Sequence, residues 1–423
     1  MIFGKGSQTE TLTEAQARDI CAEALSRENL DGKKVLVIIP DSTRSGPFDM
    51  MFRIVYGLLA GRVKTLDFII ALGTHPAMSD EAIYHHVGIT KSEHVSAYPK
   101  ARFFNHNAFD PAQLRHIVTF SEDDIAGISG GLLRKKVEVT INKRLFDYDQ
   151  IIIIGPTFPH EALGFSGGHK YFFPGVAGED IINTFHWLAA LLTIPVVIGT
   201  KDTPTRRLID KVATYIPTPC LCINLVVTGR DFYGLYVGPP LETFQAAADL
   251  SDKIHIIYKD HPYKSVLSCP SEMYDDIWTG GKGMVKLEGV VADGGELILY
   301  SPHITKISAT YGHLIEPIGY HVRDYFLKQW DRFKDIDGNA IAQSCNVKGL
   351  GTYENGVEKP RIDLVLATQL SEEYCKKINL GYRDPKTIDP DEWKDREDEG
   401  ILYVPHAGEI LYLLKNNPFR KKA

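Results

Sequence analysis

The chain has no apolar run approaching the roughly 20 residues that a bilayer-spanning helix needs. Its opening residues, Met1-Ile2-Phe3-Gly4-Lys5, lack the continuous apolar core of a signal peptide. Together these absences lead to the expectation of a cytoplasmic protein with no membrane partner. There is also no long block of Lys and Arg, and the formal net charge over 423 residues is -7. A nucleic-acid partner needs a basic face to neutralise phosphates, so the expected partner is a small molecule. Cysteine is sparse: Cys21, Cys220, Cys222, Cys269, Cys345 and Cys375 are spread over the chain with no CxxC pair. They read as reduced, partly buried thiols rather than as a disulfide framework or a metal site. No internal repeat or low-complexity tract is present.

What is there is ordinary for a large enzyme: 44% hydrophobic and 24% charged residues, enough to build more than one core. Thr13-Glu14-Ala15-Gln16 is a capping-box pattern and starts a helix that runs to about Arg27. A strand follows at 34–39, a helix at 50–59 closed by Gly61, and a second strand at 65–72, the rhythm of a parallel sheet. Ser79 to His86 reads as a helix, 137–141 as a β piece and Gly127 to Gly131 as a loop. Strands are expected at 150–154, 196–198 and 222–227, and helices at 179–192 and from 242. Lys259-Asp260-His261-Pro262 breaks the pattern. Beyond it come a helix at 285–292, a strand at 296–300, a helix at 322–330, a strand at 363–368 and a solvated loop at 383–400. The fold expected is two-domain α/β, with residues 1–262 forming a domain built on a mostly parallel sheet and 263–423 a smaller α/β domain.

Three strand-like runs end directly on reactive polar residues. Ile38-Ile39 leads into Pro40-Asp41-Ser42-Thr43-Arg44, Ala71-Leu72 into Gly73-Thr74-His75, and Ile153-Ile154 into Gly155-Pro156-Thr157-Phe158-Pro159-His160. Ligands of open α/β sheets bind outside the carboxyl ends of the strands, so these groups are expected to converge on one crevice. His75 and His160 stand out for this reason, whereas His85, His86, His94, His116, His255 and His321 read as surface or satisfied core residues. Asp41 and Arg44 read either as a structural ion pair or as an acceptor and a bidentate cation for a carboxylate or phosphate. Gly164-Phe165-Ser166-Gly167-Gly168-His169-Lys170 reads as a flexible loop or as a phosphate cradle with a lysine beside it, without the Walker spacing.

Taken together, Asp41-Ser42-Thr43-Arg44, Leu72-Gly73-Thr74-His75-Pro76, His160, the segment Gly164 to Lys170, Pro174-Gly175 and His186 resemble the nickel-dependent lactate racemase family in order and in long-range spacing. The resemblance implies a two-domain enzyme with its active site in the interdomain cleft and a nickel-pincer nucleotide as cofactor, a pyridinium mononucleotide whose two thiocarbonyl arms grip nickel. It implies Lys170 as the covalent attachment, His186 as the nickel ligand, and Asp41, Thr43, Arg44, Ser166, Gly167 and Gly168 as cofactor contacts. His75 and His160 become the acid/base pair, at the ends of neighbouring strands, and Arg44, Trp278, Thr279 and Lys282 face the substrate. The activity implied is inversion of carbon 2 of a 2-hydroxy acid by hydride transfer through a 2-keto acid, with cofactor-synthesis proteins as partners. Thr279 stands where the lactate enzymes carry a larger amide. With His303, Tyr311 and His313 nearby in sequence, this suggests a substrate larger or more hydroxylated than lactate. The competing readings are a zinc-type hydrolase or lyase using His75, His160, His169 and His186, and a non-catalytic nucleotide-binding protein.

Overall fold

Residues 1–420 are described in a computed structural model, which divides into two compact units. Unit 1 comprises Met1–Phe158, Phe165–Ile182 and Lys201–Ile254, and unit 2 comprises Pro159–Gly164, Asn183–Thr200 and the chain from His255 onward.

Unit 1 contains β1 (Phe3–Gly6), α1 (Glu14–Ser26), β2 (Lys34–Pro40), α2 (Phe48–Leu59), β3 (Thr65–Ala71), β4 (Ala101–Asn105) and β5 (Gln150–Pro156). The helix α3 (Glu179–Leu192) then passes from unit 1 into unit 2, and α4 (Pro204–Ala213), β6 (Cys220–Thr228), β7 (Asp231–Gly238) and α5 (Pro240–His255) follow. The capping box forms as its sequence requires: Gln16 N–H donates to Thr13 Oγ1 at 3.3 Å, and Thr13 N–H to Gln16 Oε1 at 3.1 Å. The strands make one seven-stranded sheet in the order β1-β7-β6-β5-β2-β3-β4. Pairing is parallel from β6 to β4 and antiparallel at β1 and β7. The central strands β2, β3 and β5 are near-continuous Val, Ile and Leu because both faces are covered. Val35, Val37, Phe68 and Ile70 pack against Leu25 of α1 and Phe52 and Val55 of α2 in one core.

Unit 2 is built on a second, all-parallel sheet. Its strands are β8 (Tyr263–Pro270), β9 (Val291–Tyr300), β10 (Asp363–Ala367), β11 (Gly381–Tyr382) and β12 (Ile401–Ala407), in the order β11-β10-β9-β8-β12. Val266, Leu297, Leu299, Leu364, Leu366 and Leu402 form its core. Among the described residues no helix is long and apolar enough to cross a membrane.

Some expected elements differ. The apolar run at 196–198 is no strand: residues Ile194–Val197 form a short helix with Pro195 in its first turn, where the missing N–H and fixed φ of proline are tolerated. The expected helix at 285–292 is replaced by a turn of helix at Lys282–Val285, a 3₁₀ turn at Glu288–Val290 and the start of β9 at Val291. Gly289 and the β-branched pair Val290-Val291 favour leaving the helix there. The helix expected at 322–330 is split into Arg323–Leu327 and Trp330–Phe333. A helix at Glu122–Ser129 occupies most of the segment before Gly130, leaving only a short glycine turn where a loop was expected.

His106 is sealed in unit 1, 1% exposed, with Nε2 donating to Ala177 O at 2.9 Å and Nδ1 accepting from Asn142 Nδ2 at 3.1 Å. Burial pulls its pKa down to about 4. Below pH ~6.5 the unfolded chain takes up a proton that the folded chain refuses, so stability falls as pH drops from ~6.5 towards 4, by an upper limit of about 3 kcal/mol. His106→Gln should flatten that stretch of the stability profile, measured by urea unfolding at pH 7 and pH 4.5. An unchanged pH slope would dismiss the role.

Candidate active site

The carboxyl ends of β2 and β3 meet in unit 1 through one carboxylate. Asp41, 5% exposed at the end of β2, accepts from Thr43 N–H at 3.1 Å and Thr43 Oγ1 at 2.6 Å through Oδ1, while Oδ2 is bonded to His75 Nδ1. Burial alone pushes the Asp41 pKa up. The hydrogen bond and charge of His75, the Arg44 cation and the Thr43 hydroxyl outweigh it and hold the carboxyl well below the usual range. Because Nδ1 faces a carboxylate, the neutral ring keeps its proton there and leaves Nε2 as a base. Asp41 is therefore paired with His75 rather than with Arg44. The Arg44 guanidinium donates to Thr43 Oγ1 at 2.9 Å and lies 5.7 Å from the Phe158 ring. His86 donates from Nε2 to Pro40 O at 3.0 Å, a satisfied position beside the site.

The glycine-rich segment sits at the same edge of the sheet. Gly73, whose φ of +56° turns the chain after β3, donates its N–H to Gly175 O at 2.9 Å, and Tyr171 donates its hydroxyl to Pro156 O at 3.1 Å. Lys170 is 7% exposed, with Nζ 5.6 Å from the Tyr171 ring. The polar groups of Ser166 and Gly168 are used inside unit 1. Ser166 Oγ donates to Pro156 O at 2.8 Å and accepts from Phe158 N–H at 3.0 Å, and Gly168 N–H donates to Asn224 Oδ1 at 3.1 Å. Unit 1 thus brings together Asp41, Thr43, Arg44, His75 and the loop carrying Lys170. The strands leading to His75 and towards His160 are not neighbours, because β2 lies between β3 and β5. That is a correction with a chemical consequence, since β2 carries Asp41.

The remaining candidates belong to unit 2. His160 is 6% exposed, and its Nδ1 accepts from Ala162 N–H at 3.2 Å. Neutral His160 then carries its proton on Nε2, the tautomer opposite to that of His75. Glu161, which sequence reasoning passed over, stands 3.7 Å from His160 Nδ1. Burial pushes its carboxyl pKa up, but the charges of His160, Lys282 and Lys286 prevail and hold it well below the usual range. Lys282 lies with Nζ 5.1 Å from the Tyr274 ring. Trp278 is stacked on Tyr311 at 4.5 Å, and Thr279 Oγ1 donates to Asp276 Oδ1 at 2.7 Å, so that hydroxyl closes a helix cap. His186, half-buried on α3, lies against the Phe185 ring at 4.3 Å. Back in unit 1, His169 is tied to Asp210, Nδ1 to Oδ1, at 2.8 Å. Among the described residues no three His, Cys, Asp or Glu side chains are grouped to hold a metal ion.

A model of the lactate racemase N-terminal domain matches residues 3–193. A protein of Thermotoga maritima with a known crystal structure superposes with a TM-score of 0.88 at 32% sequence identity, over 97% of this chain and 100% of its own. The lactate racemase apoprotein of Thermoanaerobacterium thermosaccharolyticum superposes with a TM-score of 0.70 at 18% identity, over 96% of this chain and 94% of its own, a likeness of fold. No curated protein matches the chain. Through residues 3–193, the chain belongs to the family defined by the lactate racemase N-terminal domain.

Proposed function

We propose that the protein is an isomerase, a racemase or epimerase that inverts carbon 2 of a 2-hydroxy acid with a nickel-pincer nucleotide as cofactor. The observation that carries this reading is the Asp41–His75 pair beside Arg44 at the carboxyl edge of the unit 1 sheet. An imidazole oriented by a carboxylate is a base for a hydroxyl proton, and a guanidinium is a clamp for the carboxylate next to it. The family match supports the same reaction class.

The donor set suits the cofactor. Lys170 offers an amine from a loop bolted to its own unit, and His186 offers one imidazole. A group that brings its own sulfur ligands to nickel asks for no protein cluster of three, and nickel accepts imidazole beside soft sulfur. When bound, this group supplies a site that accepts and returns the carbon 2 hydrogen as a hydride. Direct proton removal from carbon 2 is beyond any side chain near neutral pH. The work left to the chain is to hold the carboxylate at Arg44, to take the hydroxyl proton at His75 Nε2 and to donate one from His160 Nε2. The two roles exchange in the reverse direction. The ring that acts as acid must begin as an imidazolium, a form that the Glu161 carboxylate 3.7 Å from His160 Nδ1 favours, while the ring that acts as base begins neutral, as His75 held by Asp41. A zinc-type hydrolase fits less well, because among the described residues no three His, Cys, Asp or Glu side chains are grouped to hold a metal ion.

The test is a panel of enantiopure 2-hydroxy acids given to cofactor-loaded protein, followed by chiral analysis, with one arm run in D₂O. Inversion without deuterium at carbon 2 is expected, and solvent deuterium there would rule out hydride transfer. A C4–C6 hydroxylated acid, such as a sugar acid, is expected to outdo lactate in kcat/KM by at least ~10-fold, since sites built for hydroxyls reject analogues lacking them. Lactate as the best substrate would overturn the size argument drawn from Thr279 and leave the reaction class standing.

A further inference from the structure

Arg206 is a charge buried inside unit 1, 3% exposed, on α4. Its guanidinium lies 4.0 Å from the Phe244 ring, and its Nε has no hydrogen-bond partner. Nη1 donates to Gly167 O at 3.2 Å and Nη2 to Phe165 O. One turn further along α4, Asp210 holds His169. From the neighbouring strand β6, Asn224 takes the Gly168 N–H and passes its own amide to Thr243 Oγ1 at 2.9 Å. Burial pushes the Arg206 pKa down only to about 10, so it stays a cation at neutral pH.

Burying a guanidinium is costly unless the geometry recovers the lost hydration. Here the planar fork spans two carbonyls of one short loop, which a lysine amine cannot do. The Gly167 carbonyl sits between residues with φ of +92° and +57°, a backbone that a side chain at either position would strain. A Cβ at Gly167 would fall 2.3 Å from Thr157 Oγ1, so the loop is tight against the sheet as well. Three residues past the Gly167 carbonyl stands Lys170, whose N–H returns to Gly167 O at 3.3 Å. The bond network runs from Arg206 to the backbone that aims Lys170.

We propose that Arg206 is a positioning residue: its buried guanidinium clamps the Phe165 and Gly167 carbonyls and so fixes the direction in which Lys170 presents its amine. The inference rests on the reading of Lys170 as the cofactor attachment, yet it is testable on protein without cofactor. Arg206→Lys keeps charge and most of the volume but loses the two-point grip. Amide hydrogen exchange at residues 167–170 is expected to rise about tenfold or more, as for loss of a charge-assisted bond pair, while exchange in β5 holds. Trace acetylation of Lys170 followed by mass spectrometry should change at least severalfold, with the exposed Lys64 as the internal reference. In loaded enzyme kcat should fall about tenfold with a smaller change in KM. In Arg206→Ala, methylguanidinium added to the buffer should return both loop exchange and Lys170 labelling towards parental values.

Parental loop exchange and Lys170 labelling in Arg206→Lys would overturn the proposal, as would a loss of activity without any change in the loop. If β5 exchange rises equally in both variants, Arg206 serves the stability of unit 1 as a whole and the proposal fails. A loosened loop in the variant, together with no adduct on Lys170 in the parent, would leave the clamp standing and remove the proposed function instead.

Discussion

Lys170→Ala abolishes turnover, with an expected loss of ~10³-fold or more, and eliminates the nucleotide adduct while the protein stays folded. Fold survival follows from how the loop is held. Its backbone is fixed by Arg206 and Asn224 and its serine by Pro156 O and Phe158 N–H, and none of these bonds uses the Lys170 amine. Truncation loses the buried stem of Lys170, at about 0.8 kcal/mol per methylene, and also removes a buried amine, so the net cost in stability should stay within about 1–3 kcal/mol. Intact mass of the loaded protein and a thermal melt read the two effects separately. His186→Ala serves as the contrast: the adduct remains and nickel per bound nucleotide falls, as metal analysis would report. Full activity of Lys170→Ala with unaltered loading would end the assignment of this lysine.

The sheet of unit 1 is legible in the sequence because buried parallel strands need runs such as Val35-Leu36-Val37-Ile38-Ile39, which surface segments cannot afford. The reactive residues at their ends are legible for a related reason: a polar residue directly after such a run, often through a glycine, is held at the sheet's edge. What joins those residues is not legible. The Asp41–His75 bond links positions 34 apart, and strand order, which inserts β2 between β3 and β5, leaves no mark on composition. Arg206 is hidden because its partners are main-chain carbonyls, which carry no residue signature. Glu161 is only half legible: His160 stands beside it in the chain, but Lys282 and Lys286, which also hold its carboxyl low, are more than a hundred residues away. The engagement of the Thr279 hydroxyl by Asp276 in a local cap is likewise not announced by side-chain type. The chain's repeated passage between the two units is equally silent, since the amphipathic pattern of α3 says that one face is buried but not against which core.

His75→Ala is expected to lower kcat/KM by ~10²–10⁴-fold, the usual range for a lost acid/base group, and Asp41→Asn should cost nearly as much although every ring atom of His75 remains. Asn at position 41 can turn its amide N–H₂ towards Nδ1, which then becomes the acceptor. The proton moves to Nε2 and the base is lost. The Haldane relation ties the two directions together, so kcat/KM must fall by the same factor from either stereoisomer, even if kcat and KM divide the loss differently. The stability of the pair gives a second measurement. Asp41 is held well below its ordinary pKa in the folded protein, so its contribution is present above the unfolded carboxylate value near pH ~4 and is lost as pH falls below it. Asp41→Asn should therefore lower stability at pH 7 and reduce the acid dependence below pH ~4, as denaturant unfolding across that range would read. An Asp41→Asn enzyme with parental kcat/KM would refute the dyad, and with it the assignment of His75 Nε2 as the base, whatever the stability data give.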